Sequence, residues 1–150
     1  MKKEKPYRKT YGIVDWIGLG PLRSSVVLIV GDDLVMLRDW LEHNRRIVNP
    51  NLTDQDINDI IVTIDEDGAA GCCFDMRGNY YIYLEKWDEQ VFLHEAYHAV
   101  RRKLENSKIY DTNGEVGARL IEFLWMTFVK EAGDREKKGI RQIMRGAKEY

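Results

Sequence analysis

His94, Glu95, Ala96, Tyr97 and His98 spell H-E-x-x-H, and that spacing is useful only on an α-helix. A helix turns about 100° per residue, so positions i and i+4 lie on one face, one turn apart. Two imidazoles there can point at one metal ion. Glu95 points to a neighbouring part of the face, where it can take a proton from an activated water without being a ligand itself. With three His in 150 residues, a chance match is expected roughly once in two hundred such chains. The pentapeptide marks a site only if it sits on a helix and a third ligand exists. A fold in which the pentapeptide serves as a metal site must therefore present such a helix and bring a donor to it.

The first condition is met by the flanking residues. No Pro or Gly interrupts 85–106. Asp88 is placed to cap the N-terminus, with Glu89 in the first turn and Arg101, Arg102 and Lys103 toward the far end, where they suit the helix dipole. Phe92, Leu93, Ala96, Ala99, Val100 and Leu104 recur at helical spacing. His94 and His98 share a different stripe with Val91, Arg101 and Arg102. The expected helix thus has a buried side and a ligand-bearing side.

A catalytic zinc takes three protein ligands and leaves a fourth position for water. His43 is the third histidine, and it reads as a solvated residue at the exposed end of an early helix. Cys72 and Cys73 are adjacent, so in a strand they point to opposite faces and read as small buried residues. The carboxylates after the motif are stronger candidates. A second helix is expected from 113 to about 131, with Glu115 in its first turn and Glu122 two turns later on nearly the same face. An antiparallel pair of helices linked by 107–112 would bring that face toward His94 and His98. Glu115 also suits the dipole of its own helix. Glu122, between Ile121, Phe123 and Leu124, is either the ligand instead or an acceptor for a ligand's ring N–H.

His94-Glu95-x-x-His98 followed by Glu115-x-x-Ala118 resembles the gluzincin pattern of zinc metallopeptidases, in particular minimal versions found in phage, prophage and antitoxin-associated proteins. The resemblance covers about residues 79–130, and the pentapeptide is its specific part. It implies that His94, His98 and Glu115 bind Zn2+ and that Glu95 is the catalytic general base. It also implies a zincin-like fold of α+β class, with a small, mostly antiparallel sheet packed on the H-E-x-x-H helix and a following antiparallel helix. Many larger gluzincins carry an Asp four residues after the ligand Glu to orient a His. This chain has Arg119 there, so Glu122, Asp111 or a backbone carbonyl must take that part.

Composition bounds the alternatives. At 150 residues, net charge −2 and 32% charged residues, the chain reads as a single soluble domain and not as a general nucleic-acid binder. No apolar run approaches the roughly 18 residues of a membrane span. The basic N-terminus is followed by no signal-peptide core, and residues 1–8 read as a solvated start. Two neighbouring Cys give no disulfide framework, which suits a reducing cytoplasm. The end of the chain, about 133–150, is peripheral. It is rich in Lys and Arg, with Ile140 and Met144 spaced for a short amphipathic helix that is solvated or contacts a partner.

Along the chain, 11–19 and 24–30 are β-prone and joined by a Gly-Pro turn, as in a hairpin. Gly31-Asp32-Asp33 caps a helix from Leu34 to about Asn44. Residues 49–51 form a turn and 54–59 one helical turn. Residues 60–64 and 70–75 read as short strands. Between them, 62–68 looks like a calcium-loop fragment without the full pattern, hence a turn. After a turn at 77–79, residues 79–85 alternate like a strand, with Tyr81, Tyr83 and Glu85 on one face and Tyr80, Ile82 and Leu84 on the other. In zincins the corresponding strand edges the cleft. A peptide or protein substrate could pair with 79–85 by strand addition, or this is an ordinary hairpin strand. Tyr97 reads as turned away from the metal, and Tyr81, Tyr83 and Tyr110 are the other candidate donors to an oxyanion.

Three function classes remain in view. The first is a zinc peptidase. The second is a catalytically inactive zincin-fold binding module with structural zinc. The third is an interaction protein whose His94 and His98 merely line a helix interface. Substrate and oligomeric state are not encoded in any motif of the chain.

Overall fold

Two hairpins build the sheet. A computed structural model describes residues 11–19, 22–67 and 69–137. β1 (Tyr11–Leu19) and β2 (Leu22–Val30) pair antiparallel, as their β-prone composition predicts. β3 (Gly71–Met76) and β4 (Asn79–Leu84) form the second hairpin. Its two-residue turn, Arg77-Gly78, has φ of 56° and 80°, the doubly positive pattern whose twist matches the flanking strands. Asp56 holds Arg77 there, with Nε 3.1 Å from Oδ2. The hairpins join with β2 parallel to β4, giving the order β1-β2-β4-β3.

Among the described residues, five helices accompany this sheet. α1 (Leu34–His43), α2 (Arg45–Val48) and α3 (Asp54–Asp67) precede β3, while α4 (Glu89–Asn106) and α5 (Glu115–Lys137) follow β4. The period-two alternation of the central strands sorts the side chains into two cores. Val27, Ile29, Tyr81 and Tyr83 pack with Leu37, Leu41, Ile57, Ile60 and Ile64 from α1 and α3. Val26, Leu28, Tyr80, Ile82 and Leu84 pack with Phe92, Ala96, Val100, Leu124 and Phe128 from α4 and α5. Each large apolar side chain taken fully out of water contributes about 1.5–3 kcal/mol. The protein is thus α+β, with helices on both faces of a small mixed sheet. No helix among the described residues is long and apolar enough to cross a membrane.

Local signals placed most helix ends. Asp33 caps α1 by accepting from the backbone of Val35 and Met36, both at 3.1 Å. Asp88 caps α4 through Gln90 and Val91 at 2.9 and 3.1 Å. His43 ends α1, exposed as expected.

Three expectations are corrected. Residues 60–64 are not a strand, and 62–68 is not a turn: α3 runs from Asp54 to Asp67. Thr53 and Asp56 start it with a reciprocal cap, Thr53 N to Asp56 Oδ2 at 2.9 Å and Asp56 N to Thr53 Oγ1 at 3.1 Å. Ile57, Ile60, Ile61 and Ile64 then follow a helical period that buries one stripe on the sheet, outweighing the β-preference of isoleucine. The strand at 79–85 is not at an edge. β4 is paired on both sides, with β2 and β3, so its main-chain groups are committed and a substrate cannot add there. β3 is the outer strand beside α4. The solvated start at 1–8 and the amphipathic segment with Ile140 and Met144 lie outside the described residues.

The helical assignment of α3 has a direct test. In a strand Ile60 and Val62 would share a face, whereas in α3 Ile60 is fully buried and Val62 is 41% exposed. Ile60→Ala should lower the unfolding free energy by about 2–5 kcal/mol. Val62→Ala should change it by less than about 0.5 kcal/mol. Chemical denaturation of the two variants checks the contrast.

Candidate metal centre

The apolar stripe of α4 fixes which way the motif faces. Phe92, Ala96, Ala99 and Val100 are all within 1% of full burial. His94 and His98 therefore project from the opposite side, exposed and one turn apart. Their Nε2 atoms face each other at 3.2 Å, with rings 4.8 Å apart and nearly perpendicular. Two imidazoles on a tetrahedral zinc, each at about 2.0–2.1 Å, have nitrogens about 3.3 Å apart. The pair therefore has the separation that a shared metal requires, and it equally permits one ring N–H to donate to the other.

Glu95 points toward the sheet. Its side chain is only 11% exposed, and Oε1 lies 4.0 Å from His94 Nε2. β3 runs alongside. A Cβ on Gly71 would come within 2.8 Å of Val91 Cγ1, and Arg102 pairs with Asp75 at 2.9 Å. β3 thus flanks α4 along the whole motif. Cys72 and Cys73 lie on β3 with opposite facing, packed against the α1–α3 core and the α4–α5 core respectively. Burial, with Glu95 adding to it, pushes the Cys72 thiol up to about 11. Burial pushes Cys73 to about 12 against the opposing pull of Arg102. Both thiols are protonated at neutral pH, and both side chains are half-buried rather than fully buried as expected.

α5 runs back along α4. Phe92 stacks edge-on against Phe128 at 5.8 Å, while a Cβ on Gly117 would lie 3.6 Å from Leu104. This antiparallel register sets Glu122 level with His98, since each lies six residues from the Phe92–Phe128 contact. Glu115 is seven residues further along, about 10 Å on a helix axis. Its carboxylate pairs with Arg119 Nη2 at 3.1 Å. Both Glu115 and Glu122 are exposed. The structure brings together His94, His98 and Glu95 but neither Glu115 nor Glu122. Among the described residues no set of three or more His, Cys, Asp and Glu is gathered to hold a metal. His43 stands on the other side of the sheet, at the end of α1.

Several second-tier expectations change. Asp111 does not orient a histidine: its carboxylate caps α5, accepting from Val116 N at 3.1 Å and Gly117 N at 2.8 Å. Tyr81 and Tyr83 pack in the α1–α3 core, on the face away from α4, so neither reaches the motif. Tyr97, expected to turn away from the metal, lies on the α5 side of α4, with its ring 5.9 Å from that of its neighbour His98. Arg101 holds it there, with Nη1 3.4 Å from the hydroxyl and the guanidinium 5.8 Å from the ring centroid. The i, i+4 spacing of Tyr97 and Arg101 was the available signal. Lys103 does not serve the helix end in water. It is 4% exposed, donates to Ser24 Oγ at 2.9 Å, and has its pKa lowered by burial.

The shifted thiols and phenols make stability fall at high pH. Burial raises Tyr81 and Tyr83 from about 10 to about 12, as it raises the two thiols from about 9. A raised folded value means that the unfolded chain loses these protons first. The stabilising difference is present below pH 9 and is lost as pH rises toward 12. Lys103, lowered instead, works in the opposite sense over its own range. Urea midpoints should therefore decline from pH 9 to 11. Replacing Cys72 and Cys73 with Ala should flatten the first part of that decline.

Compared with known protein families, with characterised proteins and with solved structures, the chain matches none.

Proposed function

We propose that α4 carries the site of a zinc-dependent peptidase of gluzincin-like, minimal phage-associated type. The observation that carries this reading is the convergence of His94 and His98 Nε2 at 3.2 Å, with the shielded Glu95 carboxylate beside them. Two nitrogens at that separation fit a tetrahedral metal site. A carboxylate from α5 is the third donor. Glu115 is the residue implied by the resemblance, but its ion pair with Arg119 and its distance along the axis favour Glu122, which stands level with His98. Zinc bound there would lower the pKa of a water and polarise an amide carbonyl.

The chain's own residues supply the rest. Glu95 Oε1 takes the proton of the attacking water and passes it to the leaving amine nitrogen. The outer edge of β3 offers main-chain groups to an extended peptide laid beside α4, and strand addition would orient its carbonyl toward the His pair. Tyr97, against His98, is the tyrosine nearest the reacting carbonyl. The paired reduced thiols suit a reducing compartment such as the cytoplasm.

A second reading is a zincin-like binding module without catalysis. The engagement of Glu115 with Arg119 favours it, because two His without a third protein ligand hold zinc weakly and position no reactive water.

Elemental mass spectrometry of the purified chain should find about one zinc per chain, and His98→Ala should lose it. Glu122→Gln should weaken zinc binding about 10- to 100-fold while Glu115→Gln changes it little. The reverse order would restore Glu115 as the ligand. On a mixed peptide library, Glu95→Gln should keep zinc and lose about 10²–10⁴ in rate. A zinc-loaded protein that cleaves no peptide supports the binding module, and absence of zinc even after its addition removes the peptidase reading.

A further inference from the structure

One residue on the buried stripe of α4 breaks its pattern. Phe92, Ala96, Ala99 and Lys103 share that stripe at helical spacing. The first three are core residues, and the fourth is a lysine that is only 4% exposed. Its neighbours Arg101 and Arg102 reach solvent and each pairs with a carboxylate, Glu105 at 3.7 Å and Asp75 at 2.9 Å. Among the described residues Lys103 has no such partner, and its Nζ lies 2.9 Å from the neutral Oγ of Ser24. A cation taken out of water without a counter-charge is costly, so the position favours the neutral amine. Burial accordingly lowers the pKa of Lys103. A neutral amine at hydrogen-bond distance from a hydroxyl is a base in place to take its proton. Ser24 alternates with Val26 and Leu28 on the α4 face of β2 and is half-buried. Ser25, on the other face, is fully buried and donates to Val48 O at 3.3 Å. Asn106, three residues after Lys103 and so its neighbour on the helix, donates from Nδ2 to the Tyr80 hydroxyl at 2.9 Å. That bond uses the phenol oxygen and leaves the phenol proton uncommitted among the described residues.

We propose that Ser24, with Lys103 as its base, is an acyl-accepting nucleophile in an ester-hydrolysing site separate from the metal motif. The dyad lies on the inner face of α4, whereas His94 and His98 lie on the outer face, and it is independent of the zinc reading. Neutral Lys103 takes the Oγ proton as Oγ bonds to the carbonyl carbon of an ester. The bond to the leaving alcohol oxygen then breaks, and the proton passes from Nζ to that oxygen. Ser24 is left acylated. A water, deprotonated by Lys103 in its turn, attacks the acyl carbon, releases the carboxylic acid and restores the serine hydroxyl. Tyr80 supplies the donor to the carbonyl oxygen as it gains charge.

The chain has three serines, at 24, 25 and 107, which makes labelling simple to map. The full chain is incubated with a fluorophosphonate, which bonds phosphorus to Oγ and expels fluoride, and the label is located by peptide mass spectrometry. Ser24 should be labelled, and Ser25 and Ser107 should not. Lys103→Met keeps an apolar stem in the stripe, and its labelling should fall about 10²- to 10⁴-fold. Lys103→Arg keeps a donor to Oγ but stays charged, so it should fall equally, and it takes over the test if the Met variant fails to fold by circular dichroism. Tyr80→Phe should slow labelling about tenfold or more. Turnover of p-nitrophenyl acetate in the presence of a zinc chelator should fall in Ser24→Ala and in the Lys103 variants alike. An unlabelled Ser24, equal labelling of Ser24 and Ser107, or undiminished labelling in a folded Lys103 variant would overturn the proposal. The Lys103–Ser24 bond would then be only a structural tie between α4 and β2.

Discussion

The rotation of α4 about its own axis is the constraint from which the rest of the site follows. Phe92, Ala96, Ala99 and Val100 are buried almost completely against the sheet and α5. Turning the helix by even one residue, about 100°, would place His or Glu in that core and Ala or Phe in water. The two alanines matter as much as Phe92. Their small side chains let the helix backbone approach the sheet, while Phe92 fills the space among Trp87, Trp125 and Phe128. Once the stripe is seated, His94 and His98 have only the outer face available.

The same rotation divides the motif's surroundings into two unlike sides. Glu95 leans toward β3, into a protein-lined position beside Cys72 and Cys73, where water is scarce. Tyr97 lies on the other flank, toward α5. A shielded carboxylate thus stands on one side of the His pair and an aromatic ring on the other. The close contact of Gly71 with Val91, and the Arg102–Asp75 pair, set how near β3 lies to the helix.

The opposite layer supports this from behind. α1 and α3 cover the second face of β2 and β4, so both central strands are buried on two sides and read as nearly continuous apolar runs. Buried Ser25 and Asn79 are matched at the end of that layer, whereas the buried Tyr81 hydroxyl has no hydrogen-bond partner among the described residues. Asn79 accepts from Ser25 N at 3.3 Å and donates to Val48 O at 3.1 Å, tying the end of α2 to the sheet. On the α4 side, Lys103 reaches Ser24 Oγ and so links the C-terminal half of the motif helix to β2.

The sequence by itself determined what depends on neighbours along the chain. Asp33 and Asp88 announced their helices because a capping carboxylate acts within three residues. Arg77-Gly78 announced its hairpin because the turn is made by those two residues. The placement of His94 and His98 opposite an apolar stripe follows from helical period alone. The run of isoleucines from 57 to 64 was ambiguous, since β-branched residues suit strands and only the presence of a sheet to bury a helical stripe decided the matter. Tertiary structure alone decided that β4 is central and β3 the edge, because strand order depends on which hairpins meet. It also decided that Tyr81 and Tyr83 face away from the motif, that Asp111 caps α5, and that Glu122 rather than Glu115 stands level with His98. That register depends on how Phe92, Phe128, Leu104 and Gly117 pack between two helices, and contacts between distant segments leave no period in either one.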